Sequence, residues 1–479
     1  MEIPEIKFGT DGWRGVVADD FTFDNMALVG SAIRLYLQET GRGDQPLLIG
    51  YDRRFAAERL AAHLATHLKN LGQPVVKVAE PSPTPVVAYG VLHLKLAGAI
   101  MLTASHNPYY YQGLKFIPYF AGPAMPETTD RITALIHELA PEFTAPPLYL
   151  TFSGERVPLK EPYFAHLERL VNTASLSSSG WRVMYNAMHG LGAGFLDGFL
   201  KRAGIDVVTI NAERDVYFGD SLPDPSPQNL IPLAPRLVEQ HCDVLLGTDG
   251  DADRFGIIDA EGRYFGANQA LPMLADFLVR YKHQRGDLVR AISTSHLLDS
   301  VAAENGLKLV ETPVGFKYVG DYLRHGGLIG GEESGGISVQ GHVPEKDGIL
   351  ASLLMLELAA TTGDDFHTLY TQLMRRLGPR AFVRVDLELQ QAEKTRLLAA
   401  LKDFGEAKFA GKKIASRNTL DGLKLIFEDG GWVLMRASGT EPVVRIYIEV
   451  TSPEGLPKFK TQVLEAVKAL SNKSAVLPG

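Results

Sequence analysis

The segment AGAIMLTASHNP, residues 97–108, is where the fold becomes legible. Residues 97–102 make a short continuous apolar run, as expected of a strand buried in a sheet. The run stops at Thr103, and Ala104, Ser105, His106 and an Asn-Pro breaker follow. Asn-Pro favours a turn and fixes its backbone. A serine with the look of an exposed group therefore stands at the end of a buried strand, beside a histidine and a rigid loop.

The pattern around it is alternating. Residues 46–51 (PLLIGY) read as a strand, 56–71 as a helix and 74–78 as a second strand. Further on, 181–186 is a strand followed by the Gly-rich turn HGLGAG and a helix from Phe195. Strand 206–210, a helical stretch at 231–241 and strand 243–247 complete that unit. A third cycle has helix 268–280, strand 288–292, helix 296–305 and strand 307–310. This spacing predicts three α/β units of about 100 residues each. The last hundred residues differ. Strand 381–389, helix 391–404, a hairpin over 423–427 and 432–436, strand 443–450 and helix 456–470 read as α+β. Residues 141–158 and 373–380 are the expected linkers, giving domains at 1–148, 156–256, 257–373 and 380–479.

Composition bounds the partners. The 479 residues are 45% apolar and 22% charged, which fits an ordinary globular protein of several domains. A net charge of −8 argues against nucleic acid and anionic membranes as partners, while leaving room for a local basic pocket. The one cysteine, Cys242, allows no intrachain disulfide and reads as a core residue. The N-terminus lacks a signal-peptide pattern, and no apolar run approaches the ~18 residues of a membrane span. Cytoplasmic location is the expectation.

Three further loops carry candidate chemistry. In GTDGDADRFG (247–256), Asp249, Asp251 and Asp253 alternate with small residues. Carboxylates this close repel unless a hard divalent cation joins them. A solvated acidic turn is the alternative. An EF-hand is excluded, because Arg254 stands where its glycine belongs and Ala260 where its glutamate belongs. Arg254 itself suits a phosphate. In GGEESGG (330–336), Glu332 and Ser334 offer acceptors and a hydroxyl for a polyol, and a surface turn is an equal reading. In RASGTEPVVRIYIE (436–449), Arg436, Ser438, Gly439 and Thr440 could cradle a phosphate, with Arg445 on the next strand, or form a plain hairpin loop. Arg14, Lys115 and Lys317 are isolated cations near glycines or aromatics.

Together, FGTDGWRG, TASHNP, DGDADR, GEESG and RASGTEP resemble, in order and spacing, the motifs of the α-D-phosphohexomutases. The likeness runs from Phe8 to about Glu449. It implies a heart-shaped monomer, or weak dimer, of four domains: three similar α/β domains with mixed sheets and a C-terminal α+β domain. The active site would lie in a central cleft. The resemblance implies that Ser105 is the phosphoserine, with His106 fixing its loop, and that Asp249, Asp251 and Asp253 hold Mg²⁺ together with the Ser105 phosphate. Lys115 would transfer protons with Arg14 nearby. Arg254, Lys317, Glu332, Ser334, Arg436, Ser438, Gly439, Thr440 and Arg445 would bind a hexose phosphate.

The implied reaction interconverts glucose 1-phosphate and glucose 6-phosphate, with glucose 1,6-bisphosphate as intermediate and activator. Two departures bear on the sugar. Gly336 stands where many mannose- and glucosamine-type members have histidine, and GEQSG, usual in the glucosamine type, is absent. Gln112 replaces the asparagine common before the loop lysine. Glucose phosphates are therefore expected first, with mannose phosphates second. Phosphomannomutase or phosphoglucosamine mutase as the main activity, a metal-dependent sugar phosphatase and a non-catalytic sugar-phosphate-binding protein are the alternatives.

Overall fold

Strands and helices alternate from Trp13 to Leu377 and build three mixed sheets. The structure is a computed structural model that describes residues 6–9, 12–437 and 443–472. The first sheet runs, edge to edge, Trp13–Val16, Tyr111–Pro118, Gly98–Leu102, Leu47–Tyr51, Val75–Val78 and Arg156–Val157. Its four strands from Gly98–Leu102 outward are parallel, and Tyr111–Pro118 pairs antiparallel with both of its neighbours, Gly98–Leu102 and Trp13–Val16. Every residue of Gly98–Leu102 is buried, as its unbroken apolar run requires. Helix Ala57–Asn70 packs through Leu60, Leu64 and Leu68, one turn apart on one face, with Ala61 and Ala65 beside them.

The second sheet orders Tyr264–Phe265, Phe255–Asp259, Val244–Thr248, Arg182–Asn186 and Asp206–Ile210. The third orders Leu309–Thr312, Asp287–Ala291, Gly327–Gly331 and Ile337–Val339. The fourth is wholly antiparallel and runs Ala381–Glu388, Val443–Val450, Trp432–Ala437, Leu423–Phe427, Lys412–Asn418 and Lys408–Phe409. Helices Gln391–Lys402 and Leu456–Asn472 cover it through Leu397, Leu401, Val463 and Val467. One large cluster of buried side chains runs through the first three domains, with smaller separate clusters around Leu245 in the second and Val289 in the third, whereas the fourth domain has its own.

Both expected linkers prove partly structured. Within 141–158, Arg156–Val157 adds a parallel strand beside Lys77 and Val78. The N–H groups of Lys77 and Ala79, which an open edge would leave to solvent, donate to the carbonyls of Glu155 and Val157. Within 373–380, helix Phe366–Leu377 continues because Leu373 is buried, and it ends only at Gly378, whose φ is +98°. Among the described residues, no helix is long and apolar enough to cross a membrane.

Candidate active site

Ser105 is only 1% exposed, which corrects the expectation of an open hydroxyl. The loop of the second domain covers it. A Cβ on Gly250 would lie 2.5 Å from the Ser105 carbonyl oxygen, so only glycine permits this approach. Ser105 adopts a left-handed backbone with φ +50°, a conformation that costs a non-glycine residue about 1 kcal/mol or more. Its N–H donates to Thr103 Oγ1 (2.9 Å). Its Oγ donates to Asp249 Oδ2 (2.7 Å) and lies 3.3 Å from His106 Nδ1. The Arg254 charge, then burial and Arg14, hold the His106 pKa well below its ordinary value.

The aspartates sit on the connection between antiparallel strands Val244–Thr248 and Phe255–Asp259, and all three are buried. Asp249 Oδ1 accepts the Arg254 N–H (3.0 Å). Asp251 Oδ2 accepts from Thr84 Oγ1 (2.7 Å) and Lys115 Nζ (2.9 Å). Lys115 Nζ also donates to Asp253 Oδ2 (3.2 Å), and Lys346 Nζ lies 3.3 Å from the same oxygen. Burial and the charges of Asp251 and Asp253 push Asp249 well above the carboxylate range. Burial also opposes ionisation of Asp251, but Lys115 and the Thr84 hydroxyl hold its pKa below the usual value.

One oxygen from each aspartate falls within 4.8 Å of the others. Asp251 Oδ1 and Asp253 Oδ1 are buried and make no hydrogen bond. Orphaned buried carboxylate oxygens are costly. An all-oxygen donor set with spare acceptors suits a hard divalent cation such as Mg²⁺.

Other expected residues fall into groups around this centre. Arg14, on the strand paired to Tyr111–Pro118, donates to Asn107 Oδ1 (2.5 Å) beside the serine loop. Arg254 Nε lies 3.8 Å from Asp253 Oδ1. A Cβ on Gly335 would meet Arg254 Cβ at 3.1 Å, which brings the GEESGG loop against the aspartate loop. In that loop Glu332 is buried and accepts the Gly315 N–H (2.6 Å), while Ser334 is half-buried. Burial and Glu333 push the Glu332 pKa up to about 7. Lys317, half-buried, is the second residue of helix Phe316–Arg324, two residues after Gly315.

Arg436 and Arg445 face each other across strands of the fourth domain. Arg436 Nε donates to Asp421 Oδ2 (2.8 Å), and Arg445 Nε lies 3.9 Å from Asp386 Oδ2. Asp421 Oδ2 also accepts the Val314 N–H (3.0 Å), tying this group to the third domain. Ser438, Gly439 and Thr440 lie outside the described residues.

Sequence reading missed Thr84, Lys346 and Asp421. Thr84 begins a helix that nothing local marks as part of a site, and its hydroxyl meets Asp251 only through tertiary packing. Lys346 follows the GEESGG loop in EKDG and carried a signal only as one more charged residue.

Comparison with known proteins identifies the family. The phosphoglucomutase/phosphomannomutase domains match in four parts: domain I at residues 5–142, domain II at 161–262, domain III at 267–377 and the C-terminal domain at 383–466. The phosphoglucomutase/phosphomannomutase of Thermococcus kodakarensis is 31% identical over 450 residues, 93% of this chain and 95% of its own. The phosphoglucosamine mutase of Acidothermus cellulolyticus is 31% identical over 467 residues, 96% of this chain and 95% of its own. The crystal structure of a phosphomannomutase candidate from Thermus thermophilus superposes with a TM-score of 0.84 at 36% identity, covering 97% of this chain and 99% of that one. Three α/β domains and an antiparallel fourth domain, together with a buried serine against an acidic triad, define a phosphoryl-transfer enzyme. The chain belongs to the phosphoglucomutase/phosphomannomutase family, within the α-D-phosphohexomutase superfamily. The family acts on hexose phosphates, and this chain is one of its enzymes.

Proposed function

We propose that this enzyme moves phosphate between the 1- and 6-positions of α-D-glucose, with mannose phosphates as a second substrate pair. The observation that carries this reading is the contact of Ser105 Oγ with Asp249 Oδ2 at 2.7 Å, inside a buried cluster of three carboxylates and Lys115. Ser105 is the phosphoryl carrier in this reading. In the first transfer the P–O bond to Ser105 breaks and a P–O bond to a sugar hydroxyl forms. Lys115, in its neutral amine form, takes that hydroxyl's proton. The resulting hexose 1,6-bisphosphate turns over, and its other phosphate returns to Ser105 while Lys115 gives the proton back to the freed sugar oxygen.

Asp249, Asp251 and Asp253 would hold Mg²⁺, which supplies neutralising charge as the phosphoryl group is exchanged. Arg14 steadies the serine loop through Asn107. Glu332 and Ser334 would bind the O3 and O4 hydroxyls, which roughly exchange places when the sugar turns. Arg436, Ser438, Gly439, Thr440 and Arg445 would hold the phosphate that is not reacting, with Arg254 and Lys317 as further cations for it. Burial of Ser105 supports transfer over hydrolysis, because water reaches a covered phosphoserine poorly.

A second reading is phosphoglucosamine mutase, favoured by the Acidothermus relative at 31% identity over 96% of this chain. Phosphorus-31 NMR separates the readings. The protein is incubated with Mg²⁺, a trace of glucose 1,6-bisphosphate and, in separate tubes, glucose, mannose or glucosamine 1-phosphate. Conversion of glucose 1-phosphate fastest, with at least 100-fold loss in Ser105→Ala, is the expected result. Faster conversion of glucosamine 1-phosphate would select the second reading. Release of inorganic phosphate without 6-phosphate would reject both.

A further inference from the structure

Arg54 is 1% exposed and lies outside every role assigned above. Its guanidinium donates to four backbone carbonyls of one short loop. Nη2 donates to Ser105 O (2.7 Å) and Asn107 O (2.6 Å). Nη1 donates to Pro108 O (2.8 Å) and Tyr111 O (3.1 Å). Asp52 orients the cation, with Oδ2 at 3.2 Å from Arg54 Nε and Oδ1 accepting the Arg54 N–H at 2.9 Å. The second domain closes over the assembly. Arg214 donates to the carbonyls of Arg53 and Arg54, both at 2.9 Å, and the Phe218 ring centre lies 4.8 Å from the Arg54 guanidinium carbon.

Four carbonyl dipoles converging on one buried point repel each other without a cation among them. A planar fork with several donors satisfies them at fixed angles, and a lysine ammonium, one point charge, cannot span them. The loop they belong to begins at Ser105, the residue with the left-handed backbone. The guanidinium nitrogens Nη1 and Nη2 hold this loop through its backbone carbonyls rather than through Ser105 Oγ, whose partners are Asp249 and His106.

We propose that Arg54 is the positioning residue of phosphoryl transfer: by gathering the carbonyls of the Ser105–Tyr111 loop it fixes the Ser105 backbone with Oγ directed at Asp249. The proposal rests on the mutase reading above. It requires that both transfers use the same Ser105 position, and a shift of about 1 Å in a reacting group costs about 100-fold in rate.

The test compares Arg54→Lys, which keeps a positive charge opposite Asp52, with wild type. Steady-state kinetics on glucose 1-phosphate are read together with thermal melting and amide hydrogen exchange of residues 104–111. Expected for Arg54→Lys are a folded protein, kcat lower by about 100-fold, KM within threefold of wild type, and faster exchange confined to the loop. Arg54→Ala should regain at least fivefold in kcat on adding guanidinium ion at non-denaturing concentration, and nothing on adding ammonium ion. A folded Arg54→Lys with kcat within threefold of wild type overturns the proposal. So does a loss expressed only in KM, or the failure of both variants to fold, which would make Arg54 a core residue and no more. Wild-type turnover is the separate control on the mutase reading. If wild type turns over no hexose phosphate, that reading fails by itself, and loop exchange in Arg54→Lys still decides whether Arg54 fixes the loop.

Discussion

Lys424 Nζ of the fourth domain lies 2.8 Å from Glu311 Oε2 of the third, and the same ammonium donates to the Ile292 carbonyl at 2.8 Å. Lys424 is fully buried, with Trp432 beneath its ammonium, 4.3 Å away at the ring centre. Around the pair, Ile292, Trp432, Leu434 and Tyr447 form a small apolar cluster separate from both large cores. Burial and the nearby Arg290 charge bring the Lys424 pKa down to about 8. The fourth domain is thus docked through one mixed patch rather than through a shared core.

That docking is open to a direct test. Lys424→Ala should lower stability by about 2–3 kcal/mol, less than the full cost of breaking a buried pair, because Arg290 still faces Glu311. Calorimetry should resolve an early transition for the fourth domain, with the melting of the remaining three domains little changed. A single unshifted transition would show that the pair does not hold the domains together.

The acidic triad should respond to cation removal. Lys115 and Lys346 pair with Asp251 and Asp253 but leave two buried carboxylate oxygens orphaned, which a divalent cation would satisfy. Mg²⁺ at about 100 times its dissociation constant should add about 2.7 kcal/mol of stability. A chelator should reverse the gain in melting temperature, and Asp251→Asn should abolish most of it. Equal melting with and without Mg²⁺ in wild type would argue against a cation site.

Two groups should shape stability against pH with opposite signs. Arg169 Nη2 donates to His166 Nδ1 (2.9 Å), leaving His166 Nε2 to donate to His342 Nδ1 (3.0 Å) and His342 Nε2 to donate to Asp347 Oδ2 (2.8 Å). A guanidinium only donates and a carboxylate only accepts, so the direction of this chain is fixed. Burial, then His342 and Arg169, lower the His166 pKa from 6.5 to about 4. The unfolded chain therefore binds more protons between those values, and the stability His166 contributes is lost as pH falls from 6.5 towards 4. Glu332 runs the other way. Its pKa rises from 4.5 to about 7, so the folded state binds more protons and its contribution declines as pH rises through that window. Melting curves of His166→Gln and Glu332→Gln between pH 4.5 and 7 should bend in opposite directions relative to wild type. Parallel curves would refute the assignment of these shifts.

Local pattern alone determined the α/β alternation and the α+β ending. Apolar runs such as Gly98–Leu102 and one-turn spacings such as Leu60, Leu64 and Leu68 are short-range signals that the chain carries wherever it folds. The candidate residues were legible for a related reason. Ser105 sits beside an Asn-Pro breaker, and the three aspartates lie within five residues, so their chemistry is written in adjacent positions. The linkers were less legible, because whether Arg156–Val157 is loop or strand depends on an edge far back in the chain, at Lys77 and Val78. Only the tertiary structure decided what surrounds the serine. Packing of the second domain on the first buries Ser105 and brings Thr84 and Lys115 to Asp251, residues 167 and 136 positions apart from it. Arg54 reads in sequence as one charge in a charged turn. It becomes the anchor of the serine loop because four carbonyls, each more than 50 positions away, fold back to meet one guanidinium. Hydrogen bonds and ion pairs of that kind depend on distance in space, and no spacing along the chain encodes them.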